Sequence, residues 1–358
     1  MRILIVKLSA LGDIVHALPV LDYLHQVDPD GEIDWVVEEA NRTILEGHPL
    51  IRNVISINTR AWRKALLSAV TCQEVGAVIN QLRKASYDAV FDLQGNIKSG
   101  IVTALTGVPK RFGFDRNGAR ESLNLMFTNH HVTLGPEDHH ISKRSLKIIS
   151  SAFGVDYASF KLARHIETRP EEDRAAEDLL SGASGNLRLL FHTGTTWETK
   201  KWSIEGWLGL GRLVLDRFPA ASIFFSWGNE QERIEADTIV ARLGGRALLL
   251  PRLPVKVFCA LLKKVDLAAG GDTGPIHIAA AVGTPTVSFY RSTDASRNGP
   301  QGVRHVTLQS GNPCTICLKR SCPDDHDCRL TIRTTDMFEA IVSIITPDAT
   351  FNSTNPIL

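Results

Sequence analysis

The feature that most narrows the fold is a recurrence of short apolar runs between helical patterns, and it happens twice. In the first half the runs are "RILIVK" (2–7), "EIDWVVE" (32–38), "VISIN" (54–58) and "YDAVFDL" (87–93), with amphipathic stretches between them, notably 13–27 and 63–84. Short runs that stay apolar suit strands buried on both faces, the condition of a parallel sheet covered by helices. The pattern restarts with "LRLLFHTG" (187–194), "ASIFFSWG" (221–228), "ALLLP" (247–251), "VDLAAGG" (265–271) and "TPTVSFY" (284–290). At 358 residues the chain is long for one core, so it reads as two doubly wound α/β domains in series. We place the first at 1–170, a helix and linker at 171–186 and the second at 187–358. The boundary follows from "TRPEEDRAAEDLLSGASGN" (168–186), charged at first and ending in Gly, Ser and Asn. Open α/β sheets bind ligands at the carboxyl ends of their strands, so an interdomain cleft is expected. The tail "TPDATFNSTNPIL" is polar and expected to be loosely held.

Charge and hydropathy exclude several classes. A formal charge of +1 gives no electrostatic footprint for nucleic acid. No run approaches the roughly 18 apolar residues of a spanning helix. Lys7 and Asp13 interrupt the apolar N-terminus, which argues against a signal peptide and for a cytoplasmic protein.

Three stretches carry chemistry. "GGDTGPIHIAAAVGTPTV" (270–287) contains Asp272-Thr273-Gly274, the tripeptide of aspartic protease loops. That chemistry needs two such loops, and no second Asp-Thr-Gly or Asp-Ser-Gly is present. A strand, a tight turn and a helix with Pro275 near its start make a βαβ unit instead. Two readings stay open for it, a phosphate or sugar grip and an ordinary βα turn. In "VKLSALGDIVHALP" (6–19), Asp13 opens a helix at the sheet's C-terminal edge, as a functional carboxylate or as a first-turn acid favoured by the helix dipole. The loop lacks both G-x-G-x-x-G and the P-loop pattern, which removes most support for a dehydrogenase or a P-loop kinase. In "HTGTTWETKKW" (192–202), Thr195, Thr196, Lys200 and Lys201 suit a diphosphate, or else form a solvated loop.

Taken in order, "MRILIVKLSALGDIVHALP", "DWVVEEA", "WRKA", "YDAVFDLQGNIKSG", "TTWETKKW" and "GGDTGPIHIAAAVGTPTV" resemble the ADP-heptose:lipopolysaccharide heptosyltransferases, family 9 of the glycosyltransferases. "DWVVEE" and "AWRKA" are closer to the heptosyltransferase I branch than to heptosyltransferase II. The resemblance implies a GT-B fold of two Rossmann-like domains, with the acceptor on the N-terminal side and ADP-heptose on the C-terminal side. It implies transfer of L-glycero-D-manno-heptose to the Kdo residue of Kdo2-lipid A, peripheral to the inner face of the inner membrane, with no cofactor. By position it makes Asp13 the general base and Lys200 the diphosphate lysine, with Thr195 and Thr196 as hydroxyl partners. Glu232 falls at the nucleoside ribose, while Asp272, Thr273, Gly274 and His277 form the donor-binding turn. For His277 a structural role stays open. An anionic acceptor would suit Arg60, Arg63, Lys64, Arg120, Lys143 and Arg144, with Lys98 a further candidate, unless these are solvated cations. Another family 9 enzyme acting on a later core sugar, a GT-B nucleotide-sugar epimerase and a sugar-binding regulator are the competing readings. The regulator has no need of both Asp13 and Lys200.

"PCTICLKRSCPDDHDC" (313–328) gathers Cys314, Cys317, Cys322, His326 and Cys328. The first pair has zinc-like spacing and the second is wider, so reduced thiols are favoured over a structural metal. The cleft motifs contain no Asp-x-Asp pair of the kind that holds a divalent cation against a nucleotide-sugar, and a metal-free mechanism is expected.

Overall fold

The computed structural model describes residues 1–65, 68–183 and 185–346. The tail after Thr346 lies outside the described residues. Two compact units divide at Glu167/Thr168, so the segment 171–186 falls in the second. The first unit holds β1 (Arg2–Val6), β2 (Glu32–Glu38), β3 (Asn53–Ile57), β4 (Ala89–Asp92), β5 (Arg111–Phe114) and β6 (His130–Val132). Its helices are α1 (Leu11–Ala17), α2 (Pro19–Val27), α3 (Thr59–Lys64), α4 (Ala69–Lys84), α5 (Ile97–Leu105) and α6 (Ile141–Ser150). The second unit holds β7 (Leu187–His192), β8 (Ala221–Ser226), β9 (Ala247–Leu249), β10 (Leu267–Gly271), β11 (Thr286–Tyr290) and β12 (His305–Gln309). Its helices are α7 (Pro170–Leu180), α8 (Ile204–Arg217), α9 (Glu230–Leu243), α10 (Val255–Leu262), α11 (Gly274–Ala281), α12 (Ala295–Asn298), α13 (Asp325–Leu330) and α14 (Thr334–Ile345).

The strand orders are β3-β2-β1-β4-β5-β6 and β12-β11-β10-β7-β8-β9, parallel at every pairing. Counted within its own unit, each sheet is the 3-2-1-4-5-6 Rossmann order. That order reverses direction between β1 and β4, and again between β7 and β10. At such a reversal the loops leaving the two neighbouring strands run to opposite faces of the sheet and leave a crevice between them.

The amphipathic stretch 13–27 is two helices, because Pro19 starts α2 and has no N–H to continue α1. Strands β5, β6 and β12, "RFGF", "HHV" and "HVTLQ", go beyond the runs read from the sequence. Edge strands such as β6 and β12 need not be apolar on both faces, which hides them from a search for buried runs. In β1, Leu4 and Val6 face a core with Val36, Ile55, Val90 and Val102. Ile5 faces the other side, in register with Trp35 and Phe91.

Trp207 of α8 anchors the second core, its ring centroid 5.2 Å from Trp202, 5.4 Å from Phe191 and 6.1 Å from Phe289. Gly206 makes that contact possible, since a Cβ there would stand 2.5 Å from the Trp202 ring. Replacing Gly206 by Ala therefore sets a helix-propensity gain of about 1 kcal/mol against an overpacking cost of about 1–3 kcal/mol. Trp202 is buried and hemmed in by aromatic rings, so the clash wins, and Gly206→Ala is expected to lower Tm by roughly 2–4 °C in thermal unfolding. An unchanged or raised Tm would show that Trp202 can move aside.

Candidate active site

In the second unit the ends of β7, β10 and β11 converge on one carboxylate. Asp272 immediately follows β10 and is 6% exposed. Its Oδ2 accepts from Lys200 Nζ at 2.6 Å and from Thr293 Oγ1 at 2.7 Å, while Oδ1 lies 3.0 Å from His277 Nε2. Burial alone would raise this carboxyl's pKa. The hydrogen bond and charge of His277, with the Lys200 ammonium, outweigh burial and hold it well below the usual carboxylate range. His277 sits one turn into α11, which brings its ring back to the strand end. Gly271 lets the β7 loop come close, since a Cβ there would stand 3.1 Å from the Lys200 carbonyl oxygen.

The β7 loop carries Thr195, half-buried, and Thr196, exposed, before a 3-10 turn at Glu198–Lys200. Lys200 Nζ lies 4.7 Å from the Trp197 ring centroid. Lys201 turns elsewhere, to Glu198 at 3.2 Å and Glu235 at 3.6 Å. Glu232, in the first turn of α9, is buried against Gly194 and accepts from the Gly228 N–H at 2.7 Å. His192 is buried and hydrogen-bonded to Ser226, and burial lowers its pKa to about 4, so it is neutral near pH 7. A lysine, two threonine hydroxyls and the N-terminus of α11 at Thr273–Gly274 make a set that can hold an anion.

The reversal in the first unit is built differently. Asp13 is half-buried in the first turn of α1, with Oδ2 3.4 Å from the Ala10 N–H. Gln94, after β4, ties the two loops together: its Oε1 accepts from the Leu8 and Ser9 N–H groups at 3.2 Å each. Lys7 Nζ donates to the Leu93 carbonyl at 2.9 Å. Beneath them Asp92, fully buried, accepts from Gln94 N, Gly95 N, Ser99 Oγ and Asn124 Nδ2 at 2.6–3.0 Å. Burial raises its carboxyl against the pull of these donors.

The candidate acceptor cations fall into two groups. Lys98 donates to Glu38 at 2.7 Å and to Thr59 at 3.3 Å, and Thr59 opens α3, where Arg60, Arg63 and Lys64 are exposed. Arg120 is exposed next to Glu121, whose N–H reaches the Gly95 carbonyl of the β4 turn at 3.0 Å. Arg144 supports that same loop, donating to the Gly118 carbonyl at 2.7 Å with its guanidinium 5.1 Å from the Phe114 ring centroid. Lys143 precedes it on α6, half-buried. Among the described residues the cysteines are free thiols, and no three His, Cys, Asp or Glu side chains gather where they could hold a metal ion.

Lys200, Asp272 and His277 are thus in direct contact, and Thr273 and Gly274 adjoin them. Gln94, Asp92, Trp197, Arg291 and Thr293 escaped the sequence reading. Arg291 and Thr293 lie one and three positions after the strand "TPTVSFY", at the carboxyl end where α/β sites are built, and that position was the available signal.

A family model described as glycosyltransferase family 9 (heptosyltransferase) matches residues 75–327. The chain belongs to glycosyltransferase family 9. Within the family, lipopolysaccharide heptosyltransferase 1 of Pseudomonas aeruginosa is 33% identical over 92% of this chain and 90% of its own length. E. coli heptosyltransferase WaaC with ADP superposes at a TM-score of 0.79, with 27% identity over 96% of this chain and 100% of that one. WaaC with ADP-2-deoxy-2-fluoro heptose gives a TM-score of 0.71 and 28% identity, over 89% of this chain and 97% of that one. This family 9 member is a glycosyltransferase, and its two Rossmann-like units are those of a GT-B fold.

Because the Asp272 carboxyl is depressed below its ordinary 3.8, its contribution to stability is fully present above about pH 4. It is lost as pH falls further, through the folded-state pKa. Asp272→Asn strands the Lys200 charge and is expected to cost about 3 kcal/mol at pH 7. In urea unfolding the gap between wild type and variant should narrow between pH 5 and pH 3.5. An equal gap at pH 3.5 and pH 7 would contradict the ion-pair assignment.

Proposed function

We propose that the chain is an inverting heptosyltransferase. It moves L-glycero-D-manno-heptose from ADP-heptose to the Kdo residue of Kdo2-lipid A, at the inner face of the inner membrane. The observation that carries the reading is the Lys200–Asp272–His277 cluster at the start of α11, in a chain 33% identical to a lipopolysaccharide heptosyltransferase 1. WaaC bound to an ADP-heptose analogue supports ADP-heptose as the donor. No described helix is long and apolar enough to cross a membrane, which suits peripheral attachment to the surface bearing a lipid acceptor.

In this mechanism the Asp13 carboxylate takes the proton of the acceptor hydroxyl as its oxygen attacks the anomeric carbon of heptose. The bond to the diphosphate breaks on the opposite side and ADP leaves. The Lys200 ammonium, the Thr195 and Thr196 hydroxyls and the N–H groups at Thr273–Gly274 stabilise the negative charge that grows on the departing phosphate. One displacement inverts the centre, so a single carboxylate suffices. Asp272 keeps Lys200 and His277 in place, and Glu232 is assigned to the ribose. Arg60, Arg63, Lys64, Arg120 and Arg144, with Lys98, bind the carboxylates and phosphates of the acceptor.

Mass spectrometry of a reaction of the chain with ADP-heptose and Kdo2-lipid A tests the reading. A gain of one heptose on the acceptor is expected, and an acceptor of unchanged mass would count against it. Under the same conditions Asp13→Asn should lower kcat by about 10²–10⁴ while ADP-heptose affinity stays within a few fold. Donor binding that falls as far as kcat would make Asp13 a donor contact or a structural residue. Lys200→Ala should weaken donor binding and lower turnover together, and more than Lys201→Ala does.

The acceptor assignment is tested separately. Arg63→Ala or Arg120→Ala is expected to raise the acceptor KM by roughly ten- to hundredfold, the value of a charge-assisted forked contact, with little change in the donor KM. Lysine should rescue poorly, and added salt should weaken acceptor binding. If both alanine variants keep the wild-type acceptor KM at low salt, these cations are ordinary solvated surface.

A further inference from the structure

The cysteine-rich stretch 313–328 has no part in the chemistry above, yet it packs directly behind the loop that presents Lys200. Thr199 donates its hydroxyl to the Lys319 carbonyl, and Arg320 lies 5.2 Å from the centroid of the Trp197 ring, which Lys200 also covers. Arg329 reaches Glu198 with one nitrogen and Asp325 with another, the latter at 2.6 Å. Arg291, 1% exposed, joins the two segments. Its Nη1 donates to the Lys201 carbonyl at 2.5 Å, and its Nη2 to Asp325 Oδ1 at 2.6 Å and to the Asp325 carbonyl at 2.9 Å. Ser292 continues the seam, its hydroxyl 3.2 Å from Thr199 Oγ1 and its carbonyl accepting from Leu318 N at 2.9 Å. Thr293 then holds Asp272. Three consecutive residues after β11 thus fix the loop before and after Lys200 and the carboxylate that Lys200 meets.

We propose that segment 315–329 braces the donor loop, with Arg291 and Asp325 as positioning residues that set where Lys200 meets the donor diphosphate. The inference rests on the donor reading above. Neither residue need touch the donor. Arg291 is enclosed by its protein partners, and Asp325 bears the wrong charge to bind a phosphate. A planar guanidinium is required at 291 because one group must donate to two different segments at once, which an ammonium on a flexible stem does poorly.

Asp325 gives the sharper test. If local electrostatics alone governed donor affinity, Asp325→Asn would remove a negative charge and tighten ADP binding. The brace predicts the opposite. Isothermal calorimetry of ADP binding to the full chain should show Arg291→Lys and Asp325→Asn each weakened by about tenfold. Steady-state kinetics should show the donor KM rising and the acceptor KM staying within about twofold. Should Arg291→Lys fail to fold, Asp325→Asn, which is half-buried, carries the test. ADP affinity unchanged or improved in Asp325→Asn overturns the brace, as does an equal rise in both KM values. A wild-type chain that does not bind ADP overturns the donor reading itself, and the brace with it.

Discussion

Three side chains at the candidate donor site lean on one buried carboxylate. Asp272 binds a lysine from the β7 loop, a histidine from α11 and a threonine beyond β11, so three separate connections are fixed relative to one atom group. A buried ion pair of this kind adds little net stability over an apolar replacement, because both charges must be desolvated. What it supplies is geometry: the Lys200 ammonium is held beside the start of a helix whose dipole also favours anions. The Asp-Thr-Gly tripeptide therefore serves in this chain to orient a cation, and its carboxylate faces a lysine, a histidine and a hydroxyl where a protease would place a second carboxylate.

The two units use the same topology for different ends. Each sheet reverses order beside its first strand, and each has one candidate carboxylate after a strand at that reversal, Asp13 after β1 and Asp272 after β10. In the first unit the loops are joined without an ion pair, through Gln94 to the Leu8 and Ser9 N–H groups and through Lys7 to the Leu93 carbonyl, and the half-buried Asp13 has no cation partner among the described contacts. In the second they are joined through an ion pair. A carboxylate intended to accept a proton benefits from the first arrangement, and an anion grip from the second.

Much of the fold was legible because parallel strands buried on both faces leave uninterrupted apolar runs, as "RILIVK" and "VDLAAGG" do. The strands that were not read, β5, β6 and β12, are short, and two of them are edges, where burial does not force an apolar sequence. The site residues were legible where they stand in contiguous motifs, as Asp272 and His277 do. Gln94, Arg291 and Thr293 act through partners between 21 and 90 positions away, and spacing along the chain gives no sign of such contacts. The role of the cysteine-rich segment was equally hidden, since its contacts run through Lys319, Arg320, Asp325 and Arg329 and its thiols were the visible feature.

The central claim is that Lys200, held by Asp272 at the start of α11, meets the donor diphosphate. A crystal structure of the chain with ADP-heptose tests it most directly. The account predicts diphosphate oxygens within hydrogen-bonding distance of Lys200 Nζ and of the N–H groups at Thr273–Gly274, with Asp272 still bound to His277 and Thr293. A diphosphate seated away from the 272–274 turn, with Lys200 paired only to Asp272 as before, would contradict it.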